Sequence, residues 1–173
     1  MDCQQALKSV DVVSPNHVEL CSFLSVAAHD EAGNANRENI ERCCSKLVGG
    51  YSSGERQCSV VVRAGKAGCY IKGTSDSYNG IWLPACHTEQ AKVVDPTGGG
   101  NGFLGGFAVT IARSEPGTNE KDMLRDGAIA GTIAASFMIE QVGVPVLSIS
   151  AQGETLVNGV TASDRLESYH DRI

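Results

Sequence analysis

Residues 93–107 read VVDPTGGGNGFLGGF, and the fold turns on this stretch. Val93, Val94 and Asp95 close a run with strand character, which Pro96 and three consecutive glycines, Gly98, Gly99 and Gly100, then break. Asn101 can cap the next helix, in which Phe103, Leu104, Phe107 and Ile111 recur at helical spacing. The expected order is strand, glycine loop, helix. Glycines in such a loop leave backbone N–H groups uncovered and permit positive φ. Those donors and the positive end of the helix dipole together make an anion site, for which a phosphate is the obvious occupant. The spacing is not that of a Walker loop, because no Gly-Lys-Ser/Thr comes after it. Nor is it the GxGxxG dinucleotide pattern, since the glycines are contiguous.

The bounds on function are set by composition. With 173 residues, 42% hydrophobic and 20% charged, the chain can bury a real core and is expected to form one domain over residues 1–173. A net charge of −6 and few aromatic residues argue against a nucleic-acid partner. Residues 1–10 carry an acid, two glutamines and a lysine, so no signal peptide is read there, and the apolar run from Ala128 to Ile139 is too short to span a bilayer. Seven cysteines, without CxxC spacing or paired histidines nearby, read as reduced thiols of a cytoplasmic protein, with the vicinal Cys43-Cys44 as structural.

Taken in order, residues 1–9 look like the end of a helix and Val10 to Ser14 like a short buried strand stopped by Pro15. Asn16 then opens a helix through Val18, Leu20, Cys21 and Leu24, with Glu19 placed to complete a capping box. His17 and His29 stand alone near loops and receive no role. A polar loop at 28–36 leads to an amphipathic helix from Arg37 to Val48, ended by Gly49-Gly50. Ser59 to Arg63 and Cys69 to Lys72 read as a hairpin around Gly65-Lys66-Ala67-Gly68. Gly80 to Ala85 is an edge strand limited by Pro84, and Trp82 reads as a packing residue. Gly102, Gly105 and Gly106 inside the next helix imply close packing against a sheet or a ligand. A second helix, about Glu120 to Gln141, is apolar enough to be buried, and a short helix at 161–172 turns Leu166 and Tyr169 to the body.

The motifs resemble those of ribokinase-like (PfkB-type) carbohydrate kinases, whose signature is D-T-x-G-A-G-D before an apolar helix. Here the seven positions are Asp95, Pro96, Thr97, Gly98, Gly99, Gly100 and Asn101, and the altered form is similar to the fungal maintenance-of-killer branch. The resemblance implies that Gly98 to Gly100 form the anion hole for the transferred phosphoryl group and that Asn101 occupies the position of the catalytic base. A carboxamide cannot accept that proton, so the departure falls on the chemical step. Asn16 and Glu19 fit the family's N-x-x-E motif, which implies Asn16 near the phosphates and Glu19 organising magnesium indirectly; the capping box and this role can hold together. Gly65 and Gly68 fit the segment lining ribose and phosphates, where Arg63 and Ala64 replace Thr and Leu, so Arg63 could offer charge to a phosphate. Thr132 falls near the adenine contact, and Asp95 near a monovalent cation. The resemblance implies ATP, Mg²⁺ and a sugar as ligands.

It also implies an α/β fold, the three-layer α/β/α sandwich of ribokinase-like proteins, in partial form. Family members are considerably longer, with sugar-binding residues and a β lid ahead of the part matched here, so this chain is expected to correspond to the C-terminal, nucleotide-binding portion and to self-associate through exposed apolar surface. Three functions compete: an active phosphotransferase, a pseudokinase that binds nucleotide without turnover, and a remnant whose glycines only shape turns. The sheet is expected to be largely parallel, covered by helices and with a β-hairpin at one side, with the strands before Pro15, Lys66 and Pro96 near one another and Glu19 and the glycine loop around one pocket.

Overall fold

A computed structural model describes residues 7, 9–49, 57–75 and 79–173. The readings at 1–6 and 8 and at Gly50 therefore lie outside the described residues. The elements in order are β1 (Val12–Val13), α1 (His17–Phe23), α2 (Arg37–Gly49), β2 (Ser59–Arg63), β3 (Cys69–Lys72), β4 (Ile81–Leu83), α3 (Gly99–Arg113), α4 (Glu120–Met138), β5 (Leu147–Ile149), β6 (Thr155–Val157) and α5 (Ala162–His170). The main sheet has the order β1-β2-β3-β4, and β5 and β6 form a separate hairpin that the periodicity did not suggest.

The sheet separates two apolar layers because strand side chains alternate between its faces. Val60, Val62 and Tyr70 point to a cluster with Leu20, Ile40 and Cys44 of α1 and α2. Val61, Ile71 and Leu83 point to the opposite cluster, with Phe103, Phe107 and Leu124 of α3 and α4. This is the expected three-layer α/β/α arrangement. Tyr169 of α5 is completely buried in the second layer, where its hydroxyl donates to Pro84 O at 2.7 Å.

Two expectations are corrected. The sheet is mixed: β1 and β2 are parallel, whereas β2–β3 and β3–β4 are antiparallel. The parallel pair has the long α1–α2 crossover that such a pair requires, and β2 is joined to β3 only by a tight turn, which permits antiparallel pairing alone. In that turn Gly68 has φ +90°, and a Cβ there would collide with the backbone of Leu83. Second, Val93 and Val94 form no strand. Val94 N and Asp95 N both donate to Ile139 O, at 2.8 and 3.2 Å, so this segment docks on the end of α4 instead of joining the sheet.

Of the glycines expected to pack closely, Gly102 and Gly106 meet another helix and not the sheet, whereas a Cβ at Gly105 would have nothing within 4 Å. Methyl groups at Gly102 and Gly106 would press on Ala134 O and Ala130 O of α4, and methyls at Gly127 and Gly131 of α4 would press on Phe107 and Phe103. Small residues on both partners let α3 and α4 approach closely, which fixes where α3 begins relative to the sheet.

Candidate functional site

α3 starts at Gly99 with Gly98 as its N-cap; Asn101, expected to be the cap, lies in the first turn. Gly98 has φ +83°, a left-handed conformation that costs other residues about 1–2 kcal/mol. No side chain caps this helix. Gly99 N donates to Pro96 O at 3.2 Å and Gly102 N to Gly98 O at 2.9 Å. The N–H groups of Gly100 and Asn101, within the first four of the helix, have no intrahelical acceptor and lie at its positive end.

Arg63 ends β2 directly against this helix end. A methyl group at Gly100 would overlap the Arg63 guanidinium, so glycine is what admits the arginine. Arg63 Nη2 donates to Ser14 O at 3.0 Å and lies 3.8 Å from Glu19 Oε2, while Nε is buried without a partner. The Glu19 side chain is 60% exposed, so this pair neutralises the guanidinium only weakly.

A cavity of about 920 Å³ opens between the sheet end and α3–α4. Gly99, Gly100 and Arg63 line it, together with Asn16, Gly68 and Thr132. Gly65 also lines it, so Asn16, Arg63, Gly65, Gly68 and Thr132 are gathered here, whereas Gly98 of the expected anion hole lies outside its wall. Phe103, Ala135 and Ile139 supply an apolar wall. Lys66 and Arg63 outnumber the single lining carboxylate, Glu89, which itself lies 3.8 Å from Lys92. A chain of net charge −6 thus concentrates positive charge at one cavity, the polarity a polyphosphate needs.

The remaining expected residues lie beside the cavity. Asn101 is exposed in the first turn of α3, one position beyond the cavity wall. Glu19 and Asn16 form the full capping box, with Glu19 N donating to Asn16 Oδ1 and Asn16 N to Glu19 Oε2, each at 2.8 Å. Arg63 bridges this box to the glycine loop. Asp95 Oδ1 accepts from Thr97 N at 2.9 Å, and that bond holds its carboxyl below the usual range.

Several cavity residues escape the sequence reading. Lys66 sits between the two turn glycines, and a basic residue in a glycine turn is a signal that could have found it. His87 is invisible in sequence: its ring comes from an irregular segment and reaches Glu140 Oε1 at 3.1 Å and Ser136 O at 3.3 Å. His17 also lines the cavity, and burial holds its imidazole below the usual value. Cys69 lies 3.9 Å from Thr132 Oγ1, and burial pushes its thiol up to about 12, so it is no nucleophile at neutral pH. All six cysteines among the described residues are free. No described helix is long and apolar enough to cross a membrane.

Known proteins resemble this chain in sequence and fold. The profile of the pfkB family carbohydrate kinases matches residues 1–147. An uncharacterized protein of Schizosaccharomyces pombe is 28% identical over 97% of this chain and 46% of its own length. Protein MAK32 of Saccharomyces cerevisiae is 46% identical over 50% of this chain and 22% of its length, and inositol 3-kinase of Zea mays 32% identical over 56% and 22%. The chain thus spans less than half the length of these relatives. Among solved structures, Vibrio cholerae fructokinase in a fructose-, ADP- and calcium-bound form superposes with a TM-score of 0.59 at 15% identity, covering 95% of this chain and 42% of that one. Aminoimidazole riboside kinase of Salmonella enterica, complexed with its riboside and an ATP analog, gives 0.57 at 16% identity, covering 96% and 44%. These likenesses establish the ribokinase-like fold.

Proposed function

The chain belongs to the pfkB family of carbohydrate kinases, and from that premise we propose that residues 1–173 form a single nucleotide-binding segment of a cytoplasmic, ATP-dependent phosphotransferase that moves the γ-phosphate to an alcohol group of a sugar or sugar-like substrate. The observation that carries this reading is the uncapped N-terminus of α3 with the Arg63 guanidinium against it, at the wall of a positively charged cavity. The phosphates lie against Gly98, Gly99 and Gly100, with Asn16, Gly65 and Gly68 along the chain of phosphates and ribose. The base lies toward Thr132 and the apolar wall. The acceptor alcohol approaches the exposed side of the first turn, where Asn101 hydrogen-bonds it and holds it in line.

Magnesium fits this site as an ion borne by the nucleotide. Among the described residues no three His, Cys, Asp or Glu side chains converge. Mg²⁺ is commonly held by phosphates and water with one or two carboxylates. Glu19 would supply that carboxylate through a bound water, since its Oε2 already serves the cap and Arg63. The ion would neutralise charge on the phosphates. Asp95, whose Oδ1 accepts Thr97 N, is assigned to a monovalent cation through its other oxygen.

Phosphoryl transfer depends mainly on positioning and electrostatics, and the protein supplies those through the helix end and Arg63. The loss of a carboxylate at Asn101 favours a second reading, a pseudokinase that binds nucleotide without turnover. Calorimetric titration with ATP, ADP and AMP tests the shared premise. ATP and ADP are expected to bind, AMP much more weakly, and Arg63→Ala to weaken ADP at least about tenfold, the loss of a charge-assisted hydrogen bond. Equal affinity for AMP and ATP would remove the phosphate assignment. Turnover on a panel of sugars and cyclitols, in a chain extended to the length of its relatives, separates kinase from pseudokinase.

A further inference from the structure

We propose that His17 and His29 form a two-histidine site for a divalent transition metal of the zinc class at the rim of the cavity, its other coordination positions taken by water or an exogenous oxygen ligand. The two Nε2 atoms lie 3.4 Å apart, and the rings stand nearly perpendicular at 82° with centroids 5.2 Å apart. A tetrahedral ion about 2.1 Å from each nitrogen sets the nitrogens about 3.4 Å apart and, for an imidazole radius of about 1.2 Å, the centroids about 5.4 Å apart. A linear N–H···N bond along both ring axes at this separation would put the centroids about 5.8 Å apart. The observed 5.2 Å lies nearer the shared-ion value than the linear one, so the contact is bent and leaves room for an ion between the two nitrogens.

The backbone holds both rings from outside the pair. His17 adjoins Asn16, which bridges to Arg63, and His29 bridges to Ala35. The Nδ1 of His17 is buried within reach of the Arg63 backbone, though too poorly aligned for a full hydrogen bond. His29 is exposed, so an ion has a path in. Imidazole nitrogens select zinc-class ions over magnesium, so this site does not compete for the nucleotide's Mg²⁺. No third protein ligand converges among the described residues, and open positions are therefore intrinsic to the site.

The test is calorimetric titration of the full chain with Zn²⁺ alone, in reducing, non-chelating buffer, and a parallel Co²⁺ absorption titration. The wild type is expected to bind one equivalent, with affinity reduced at least about tenfold in His29→Ala and in His17→Gln, unchanged in His170→Ala, and insensitive to millimolar-scale Mg²⁺. The Co²⁺ spectrum should lack a thiolate charge-transfer band. His29→Ala alters an exposed loop, so its fold is checked by circular dichroism and the result stands even if His17→Gln fails to fold. Equal Zn²⁺ affinity in wild type and His29→Ala, a thiolate band with Co²⁺, or no stoichiometric binding would overturn the proposal.

Discussion

Two helices begin beside the same cavity, and they begin differently. α1 is closed by its own sequence, since Asn16 and Glu19 exchange hydrogen bonds with each other's backbone. α3 is left open: a left-handed Gly98 turns the chain into the helix and no side chain caps it. A closed end is satisfied without a ligand, whereas an open end keeps donors and a half-charge available for one. Arg63 stands between them, 3.8 Å from Glu19 on one side and against Gly100 on the other. The asymmetry explains how both readings of Asn16 and Glu19 can hold. The pair builds a wall beside the cavity, and in the proposed reading the phosphates bind mainly at the other helix.

The comparison can be broken most forcefully at Asn101. In a chain extended to the length of its relatives, Asn101→Asp is expected to raise phosphoryl transfer by about 10²–10⁴-fold, the usual contribution of a general base. Nucleotide affinity should change little. Steady-state kinetics with the best acceptor of the panel checks this; if Asn101→Asp and Asn101→Ala both leave turnover unchanged, the open end does no chemistry on its exposed side. Because Asn101-Gly102 is prone to deamidation, intact mass is measured first.

Next in size is Gly100→Ala. Its methyl would displace the Arg63 guanidinium, so ADP affinity should fall about 10–100-fold, as when a charge-assisted contact is lost. Calorimetry reads the affinity, and unchanged binding would show that Arg63 and the helix end do not act together. Gly99→Val would instead drive a side chain into Ile139 of the cavity wall, since a Cβ at Gly99 already meets Ile139 Cγ2 at 2.7 Å.

Closed helix ends should answer to stability. Glu120, at the first turn of α4, is the acid-sensitive one. Burial raises its pKa, but hydrogen bonds from Ser59, Thr74 and Ser75 outweigh it, and the net shift is downward. A depressed carboxyl contributes stability that is present above its ordinary value of 4.5 and is lost as pH falls through the lower, folded-state value. Glu120→Gln is expected to cost about 1 kcal/mol at neutral pH, at the low end because solvent screens the carboxylate, and to flatten the acid-side loss. Urea denaturation between neutral and acid pH measures both. The smallest effect is at α1: Asn16→Ala should cost about 0.5–2 kcal/mol of stability. If it abolished ADP binding outright without a stability change, the main phosphate contacts would lie at the closed end and not the open one.

The sequence shows these ends unequally. The Asn16–Glu19 box and the glycine loop are legible because caps and glycine turns are local chemistry, written within a few consecutive residues. The hairpin around Gly65 and Gly68 is legible for the same reason. Val93 and Val94 mislead because β-branched residues read as strand, while the Ile139 carbonyl that captures their N–H groups is set by tertiary packing. The mixed sheet is implicit in the hairpin itself, which makes two of the three strand pairings antiparallel in a sheet expected to be largely parallel. His87 and the His17–His29 approach are illegible, since each depends on segments distant in sequence that only folding brings together.

The central claim is that phosphate binds the open end of α3 and not the closed end of α1. Amide chemical shifts during an ADP titration test it most directly. The account predicts the largest changes at the Gly99, Gly100 and Asn101 amides and at Arg63 Nε, with Val18 and Glu19 moving little. Shifts concentrated at Val18 and Glu19, with Gly100 and Arg63 unmoved, would contradict it.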